Sequence, residues 1–424
     1  METNSQGHLA RRFLFSTSAG YGHFHPLVPL ARALQEAGHE VAFAVRPLLQ
    51  SRVEAAGFTC FTVGGERDKD PEYQQFKALQ QTMPVSLETE LFTYPRLFCG
   101  IAPRLRTPSM VEICRSWQPD MIIREAGEYS AVIAAEYLGL PHAVVSFAAA
   151  LKAMPVFERS AAEQLDPIRR SWGLAADPAL TSLYRYLYLA YSPPSFGLHD
   201  VGLPGVTGSI PPTIHFIRPQ FFDQADNESL PAWVTRLPAQ PTVYVTLGTE
   251  VNKEPDLYPG VLQTIIAGLR DAPINLIVTL GRDKDPADFG PQPANVHIER
   301  YIPQSLLLHH CDLMVMHGGS NSLLAALDID LPLVVVPLIA DQFFNAHITQ
   351  TMRLGQVVQR GQLTPTSIRA AVEEVLANPI YRQNAARLQA EMHALPDQEY
   401  AVGLVERVAA EREAVLNTGL TATL

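Results

Sequence analysis

The sequence has few of the features that mark membrane, secreted or nucleic-acid-binding proteins. No apolar run approaches the roughly 18 residues that a membrane helix needs, and no apolar segment follows the charges of METNSQGHLARR. We therefore expect no membrane span and no secretory signal, hence a cytoplasmic protein. A formal net charge of -11 leaves no basic footprint, which argues against nucleic acid as a partner.

Cysteine is scarce as well. The four cysteines lie at positions 60, 99, 114 and 311, without CxxC spacing. This pattern predicts neither a zinc site nor a disulfide framework. The 424 residues, 47% hydrophobic and 18% charged, are enough for two or three domains with their own cores.

The first half of the chain alternates short apolar runs with helical periodicity. Strands are predicted at 13–15, 41–45, 61–63, 121–123 and 143–147, with helices between them. This rhythm indicates a parallel, doubly wound α/β sheet. Residues 72–117 read as short helices broken by Pro84, Pro95, Pro103 and Pro108, and residues 148–192 read as helices without strand alternation.

A proline-rich stretch from Pro193 to Pro241 then predicts an extended connection between domains. Strand and helix alternate again afterwards, with strands at 243–247, 274–280, 296–298, 313–316 and 333–336, and the chain is largely helical after residue 355. We predict a first domain at 1–215, a linker at 216–240 and a second Rossmann-like domain at 241–399.

The most informative stretch runs from residue 311 to 346. An apolar strand is followed by His317-Gly-Gly-Ser-Asn-Ser322, a helix, a second strand and then Asp341-Gln342. The glycines allow a close backbone approach, and the beginning of the helix presents unpaired N–H groups that suit a phosphate. Both polar groups follow parallel strands, so they are expected at one edge of the sheet, where such folds bind ligands.

These motifs resemble those of the GT-B glycosyltransferases that modify small molecules with nucleotide sugars. HGGSNS followed by PLIADQFFNA resembles the donor-binding signature of that family, and Tyr301-Ile-Pro-Gln304 resembles its nucleoside element. Residues 20–27, GYGHFHPL, resemble its catalytic-histidine loop. The resemblance implies two Rossmann-like domains facing across a cleft, a last helix from about residue 400 that packs on the first domain, and metal-independent sugar transfer with inversion and no cofactor.

The resemblance places the catalytic base at His23, in a glycine-containing loop after a strand. A carboxylate on the second imidazole nitrogen would fix the tautomer, and Glu125 is the candidate. His25 is the alternative base, and Glu128 and Asp120 are the alternative carboxylates.

The resemblance also implies a set of donor-binding residues. The diphosphate would be held by the glycine-rich loops and the helix beginning, the nucleoside by the Tyr301 element, and the sugar hydroxyls by the Asp-Gln pair. Where many relatives carry a glutamate for both ribose hydroxyls, this chain has Ala325, which favours a dTDP-sugar over a UDP-sugar. The donor set comprises Gly22, Gly248, Thr249, Tyr301, Ile302, Gln304, His317, Gly318, Gly319, Ser320, Asn321, Ser322, Asp341 and Gln342.

The acceptor is expected to be a hydroxyl of an apolar small molecule such as a polyketide, macrolide or flavonoid, with Phe92, Phe147 and Met154 as candidate contacts. A nonhydrolysing sugar-nucleotide epimerase or an inactive partner protein on the same fold are the alternatives, and a homodimer is left open. Three DxD pairs, which hold a metal in another glycosyltransferase fold, lie in contexts typical of solvated charge. They are Asp68/Asp70, Asp283/Asp285 and Asp328/Asp330.

Overall fold

A computed structural model gives the structure of the protein. It describes residues 10–418 except 19, 66, 85, 147, 154–155, 157, 202–209, 223–227 and 250.

The first half of the chain forms a parallel sheet in which, within the described residues, seven strands lie in the order β3-β2-β1-β4-β5-β6-β7. The strand order reverses next to β1, as in a doubly wound fold. The strands are β1 Arg12–Thr17, β2 Glu40–Val45, β3 Thr59–Thr62, β4 Met121–Glu125, β5 His142–Val145, β6 Leu187–Ala190 and β7 Ile214–Phe216.

Helices cover this sheet because most of its strands are apolar on both faces. Phe13, Phe15 and Phe43 pack on one face with Leu30, and Leu14 and Ala42 pack on the other. The α-helices of this half are Tyr21–Phe24, Val28–Glu36, Gln50–Ala55, Pro71–Gln80, Leu87–Tyr94, Ala102–Trp117, Tyr129–Leu138, Ala161–Ser171 and Pro194–Gly197.

The second half repeats the arrangement. Its described strands form a parallel sheet in the order β10-β9-β8-β11-β12-β13. These strands are β8 Thr242–Thr246, β9 Asn275–Thr279, β10 Val296–Glu299, β11 Leu313–Met316, β12 Leu333–Val335 and β13 Gly355–Val357. The helices are Gly260–Leu269, Gln304–Leu307, Ser320–Leu327, Gln342–Thr351, Pro365–Ala377, Ile380–His393 and Gln398–Glu411.

The last helix, Gln398–Glu411, returns to the first sheet. Its apolar residues Val405 and Val408 are fully buried in the same core as Phe13 and Leu30. His39 of the first half also meets Glu406 of this helix, with Nε2 and Oε1 2.8 Å apart. Apolar burial thus fixes the end of the second half on the first domain.

Three predictions about local structure were wrong. The stretch 148–192, read as helical, contains the buried strand Leu187–Ala190, and the proline-rich connection contains the strand Ile214–Phe216. Leu187–Ala190 has no charged position that would show alternation, and Ile214–Phe216 is too short at three residues for its pattern to be distinctive. Pro103 and Pro108 do not break the chain into separate helices either, because both lie within the helix Ala102–Trp117, Pro103 in its first turn, where a missing N–H costs little.

The carboxyl ends of the two sheets face each other. The backbone N–H of Ala149, just beyond β5, donates to Ser320 Oγ, just beyond β11, at 2.8 Å. Asn321 Nδ2 donates to the carbonyl of Gly22, beyond β1, at 3.0 Å. The loops that the sequence marks as functional therefore meet in one cleft between the domains.

Candidate active site

His23 and Glu125 form a buried pair at the carboxyl end of the first sheet. His23 lies in the one-turn helix Tyr21–Phe24 after β1, and Glu125 is the last residue of the neighbouring strand β4. His23 Nδ1 lies 3.2 Å from Glu125 Oε2, with the histidine side chain 20% exposed and the carboxylate fully buried. Because Nδ1 faces the carboxylate, a ligand would meet the other ring nitrogen, Nε2.

The surroundings of Glu125 keep it ionised. Burial acts to raise its pKa, but the interaction with His23 and hydrogen bonds from Ser18 outweigh it and lower the pKa to about 2. Glu125 Oε1 accepts from the N–H of Ser18 at 3.0 Å and from its hydroxyl at 2.8 Å. Gly127 N–H donates to Oε2. A buried carboxylate with this many donors is an anion at any physiological pH.

The alternative residues are engaged elsewhere. His25 packs edge-on against Phe222, with ring centroids 5.6 Å apart. Glu128 pairs with the buried Arg106 and accepts from the N–H of Ala131 at the start of a helix. Asp120 accepts from the backbone N–H of Arg12 at 2.8 Å. Only Glu125 of the three carboxylates considered contacts His23.

A π-helix that sequence reasoning missed borders His23. Residues Pro95–Ile101 form this helix, and π-helical segments are frequent at functional sites. Phe98 within it lies parallel to the His23 ring at 6.2 Å and stacks on Tyr94 at 4.8 Å. The prolines at 84, 95, 103 and 108 predict breaks between short helices, whereas the structure has a continuous helical segment from Leu87 to Trp117. The arrangement gives His23 an apolar aromatic neighbour.

The helix Ser320–Leu327 begins at the cleft without a side-chain cap. Gly319 is its N-cap residue, and no side chain there accepts from the first turn. Asn321 and Ser322 therefore do not cap the helix. Asn321 reaches Gly22 instead, and Ser322 Oγ donates to Gln304 Oε1 at 3.3 Å. The N–H groups of the first turn stay available to an anion.

Ser320 joins the helix beginning to Asp341. Its hydroxyl donates to Asp341 Oδ2 at 2.6 Å and accepts from the N–H of Ala149. Asn345 Nδ2 also donates to Asp341 Oδ2 at 3.2 Å. Burial raises the pKa of Asp341, although Ser320 and the charge of His23 partly offset this.

Gln342 is held by the loop before its own helix. Its Oε1 accepts from the N–H groups of Leu338 and Ile339, both at 3.0 Å, and the side chain is buried. The carboxamide oxygen is thus used by the protein, and the NH₂ group is the part that can donate to a ligand.

His317 packs against the two glycine loops. A Cβ at Gly248 would lie 2.8 Å from His317 Nε2, and one at Gly319 would lie 2.5 Å from it. Gly248 and Gly318 also have φ values of 70° and 92°, which favour glycine. Burial lowers the pKa of His317 to about 4, so this imidazole is neutral near pH 7. Thr249 is exposed beside Gly248.

The nucleoside element lies on the same side of the second domain. Tyr301 is half-buried, and the guanidinium carbon of Arg282 lies 3.6 Å from its ring centroid. Ile302 is buried beside it. Gln304 starts the short helix Gln304–Leu307 and receives the Ser322 hydroxyl.

The predicted acceptor contacts are described only in part. Phe92 lies in the helix Leu87–Tyr94 with the Arg96 guanidinium 3.7 Å from its ring centroid. Phe147 and Met154 lie outside the described residues.

The DxD pairs have structural partners. Asp70 starts a helix and pairs with Arg104 at 2.7 Å. Asp285 accepts from a helix N–H and pairs with Arg300 at 3.2 Å. Asp328 meets His393 at 2.9 Å. Over the residues that the structure covers, no three His, Cys, Asp or Glu side chains are grouped so that they could bind a metal ion.

Family models identify the chain. The model of the N-terminal domain of erythromycin biosynthesis protein CIII-like proteins matches residues 32–248, and the model of the C-terminal domain matches residues 263–407. The chain belongs to this family. The predicted resemblance to antibiotic glycosyltransferases is confirmed, and the protein is a glycosyltransferase.

Two characterised relatives are similar along nearly their whole length. The 3-alpha-mycarosylerythronolide B desosaminyl transferase of Saccharopolyspora erythraea is 27% identical, over 95% of this chain and 99% of its own. Tylactone mycaminosyltransferase of Streptomyces fradiae is 28% identical, over 96% of this chain and 94% of its own.

Solved structures confirm the predicted GT-B fold of this CIII-like protein. The glycosyltransferase SnogD from Streptomyces nogalater has a TM-score of 0.73 at 24% identity, covering 95% of this chain and 100% of its own. VinC in complex with dTDP has a TM-score of 0.74 at 24% identity, covering 94% and 100%. In the part of the chain that the structure describes, no helix combines 18 residues with the hydropathy that a membrane crossing requires.

Proposed function

We propose that this protein transfers a sugar from a dTDP-sugar to a hydroxyl group of a hydrophobic small molecule, with inversion at the anomeric carbon. One observation carries the proposal: the buried His23–Glu125 pair stands opposite the uncapped beginning of the helix Ser320–Leu327. The 3.0 Å contact between Asn321 Nδ2 and the Gly22 carbonyl ties the two loops together.

The pair supplies a base for the acceptor. His23 Nε2 takes the hydroxyl proton while the acceptor oxygen attacks the anomeric carbon and the bond to the diphosphate oxygen breaks. Glu125, ionised and 3.2 Å from Nδ1, holds the tautomer and stabilises the imidazolium that forms. A single displacement of this kind inverts the anomeric configuration.

Groups of the second domain stabilise the negative charge that develops on the leaving diphosphate. The first turn of the helix Ser320–Leu327 lies at the cleft and has no side-chain cap, and the helix dipole favours negative charge at that end. Because the N–H donors of that turn are fixed before reaction, they stabilise developing charge without reorganisation. Asp341 and the Gln342 amide are the groups for the sugar hydroxyls.

The preference for dTDP rests on Ala325, which is buried and cannot bind a ribose 2′-hydroxyl. VinC was solved with dTDP and SpnG with thymidine diphosphate, and the fold is shared with both. We expect dTDP to inhibit the reaction more strongly than UDP.

The aromatic neighbours of His23 and the names of the relatives support this acceptor class. Phe98 and Tyr94 give an aromatic surface next to His23, suited to an aglycone rather than a sugar chain. Relatives are named for acting on tylactone and on 10-deoxymethynolide. A macrolide or another hydrophobic polyketide is the acceptor to test first, and flavonoids follow.

The deciding experiment compares His23→Ala with His25→Ala. A panel of dTDP- and UDP-sugars and apolar acceptors is screened by mass spectrometry with the wild-type protein. We expect His23→Ala to abolish transfer and to bind dTDP within a few fold of wild type, and His25→Ala to retain activity. Unchanged turnover in His23→Ala rejects the assigned base. Epimerised donor without any acceptor product rejects the transferase reaction.

A further inference from the structure

An arginine outside the predicted donor set covers the ring of the nucleoside element. Arg282 follows β9, directly after Gly281, whose φ of 108° turns the chain there. Its guanidinium carbon lies 3.6 Å from the Tyr301 ring centroid. At this distance the guanidinium covers the aromatic face of Tyr301.

The same guanidinium is bound to the connection between the domains. Arg282 Nη2 donates to Glu228 Oε1 at 2.6 Å, with the two side chains 43% and 32% exposed. A half-exposed ion pair of this kind contributes little stability. It does, however, restrict the direction in which the planar guanidinium faces, because one of its donors is committed to a fixed acceptor.

Arg282 and Tyr301 border a cavity of about 400 Å³ that is large enough for a pyrimidine base. The interdomain segment forms one wall and the second domain forms the other. The lining residues are Glu228, Ser229, Pro231, Arg282, Arg300, Tyr301 and Pro303.

We propose that Arg282 positions the nucleoside of the donor. Its guanidinium, supported by Tyr301 and oriented by Glu228, forms the surface on which the pyrimidine base stacks. The interdomain segment thereby takes part in donor binding. This inference rests on the proposed function, since it assumes that a nucleoside diphosphate binds at this end of the second domain.

Two properties of arginine support this role. A guanidinium is planar and weakly hydrated, so it can stack between a ring and a base, which an ammonium cannot do. Its remaining N–H groups can donate to the carbonyl oxygens of a pyrimidine. Arg282→Lys therefore keeps the charge and loses both features.

Arg300 provides a matched control. It borders the same cavity and carries the same charge, but it pairs with Asp285 at 3.2 Å and is 53% exposed. Replacing either arginine by alanine removes one positive charge from the cavity. Only Arg282 is expected to remove the stacking surface as well.

The test measures dissociation constants by calorimetry for dTDP, thymidine and pyrophosphate. We expect Arg282→Ala and Arg282→Lys to weaken dTDP and thymidine binding about tenfold, the range of a lost stacking contact with a base. For the Arg282 variants, the dissociation constant of pyrophosphate, which has no base, should lie within about twofold of the wild-type value. For Arg300→Ala, the dissociation constant of dTDP should also lie within about twofold of the wild-type value. Glu228→Gln should weaken dTDP binding about threefold. In steady-state sugar transfer, Arg282→Ala should have a higher KM for the donor and an unchanged kcat.

Four results would overturn the inference. Equal dTDP affinity in Arg282→Ala shows that the base does not contact this residue, and tighter binding shows that Arg282 blocks Tyr301. Equal losses for dTDP and pyrophosphate show a general charge effect. If the wild-type protein binds no nucleoside diphosphate, the proposed function fails with it. If the wild-type protein binds dTDP and the Arg282 variants bind it equally well, the inference fails and the proposed function is unaffected.

Discussion

The substitution Glu125→Gln tests the charge beside the proposed base at nearly constant shape. In the wild-type protein Oε1 accepts twice from Ser18, and Oε2 accepts from Gly127 N–H and faces His23 Nδ1. In the glutamine variant an NH₂ group replaces one of these oxygens, so that a hydrogen-bond donor faces the donors of Ser18 or Gly127. Placed beside His23, it also favours the tautomer with the proton on Nε2, so that the base loses its lone pair towards the acceptor.

The structure gives the size of the effect. The pKa of Glu125 lies at about 2 instead of 4.5. At about 1.4 kcal/mol per pKa unit, this corresponds to about 3 kcal/mol in favour of the buried carboxylate. Glutamine forgoes that stabilisation and leaves at least one buried N–H unpaired, so we expect a loss of about 1–3 kcal/mol in the free energy of unfolding. We expect kcat to fall about 10²- to 10³-fold, the range of a displaced general base.

The assay is steady-state sugar transfer with product quantified by mass spectrometry, together with urea denaturation. Glu158→Gln is the matched control, because Glu158 is a buried carboxylate that accepts from Tyr129 and Tyr184 rather than from a histidine. It should lose stability with a kcat within about tenfold of wild type. A kcat for Glu125→Gln within about threefold of wild type refutes the reasoning. Because Glu125 remains ionised above about pH 4, it should add no limb to the pH profile of kcat/KM between pH 5 and 9.

Two further predictions follow from packing and from buried imidazoles. Gly248→Ala forces a Cβ to within 2.8 Å of His317 at a φ of 70°, so we expect about 1–2 kcal/mol less stability and weaker dTDP binding by calorimetry. Gly403→Ala is the control, because a Cβ at Gly403 would meet nothing within 4 Å, and we expect it to cause no loss of stability. Equal losses of stability in the two variants would contradict the packing argument. His142 and His317 have pKa values lowered by burial to about 3 and about 4, so the unfolded chain binds protons first as pH falls below 6.5. Stability should therefore drop towards pH 4 by up to about 1.4 kcal/mol per pH unit for each histidine, and flat denaturation midpoints from pH 7 to 5 contradict this.

Much of the fold could be predicted because strongly periodic segments carry their own signal. The strand Leu313–Met316 was predicted with the bounds that the structure has, since an apolar run ends at His317-Gly318. Strand Leu187–Ala190 was missed, because a short buried strand has no alternation to distinguish it from a helix. Proline was over-interpreted in the segment before Trp117, where a π-helix and a long helix run on without a break.

The residues of the site could be predicted from sequence more readily than the contacts between them. Residues such as His23, Asn321 and Asp341 could be named from sequence, because they follow closely after strands, His23 and Asn321 beyond glycine-bearing turns. The contacts that give them their properties are distant in sequence: Ser18 lies 107 residues from Glu125 and Arg282 lies 54 residues from Glu228. No local pattern encodes such pairs.

The amino-acid sequence by itself determined the two Rossmann-like halves, the family and the loops that carry the functional side chains. These depend on local periodicity, turn residues and short motifs. Only the tertiary structure decided which carboxylate meets His23, that Phe98 lies beside it, and that Arg282 covers Tyr301. Such choices depend on how segments that are distant in sequence pack within each domain, since His23, Phe98 and Glu125 all lie in the first domain and Arg282 and Tyr301 both lie in the second. That packing is fixed by burial summed over a whole domain core rather than by any single segment of the chain.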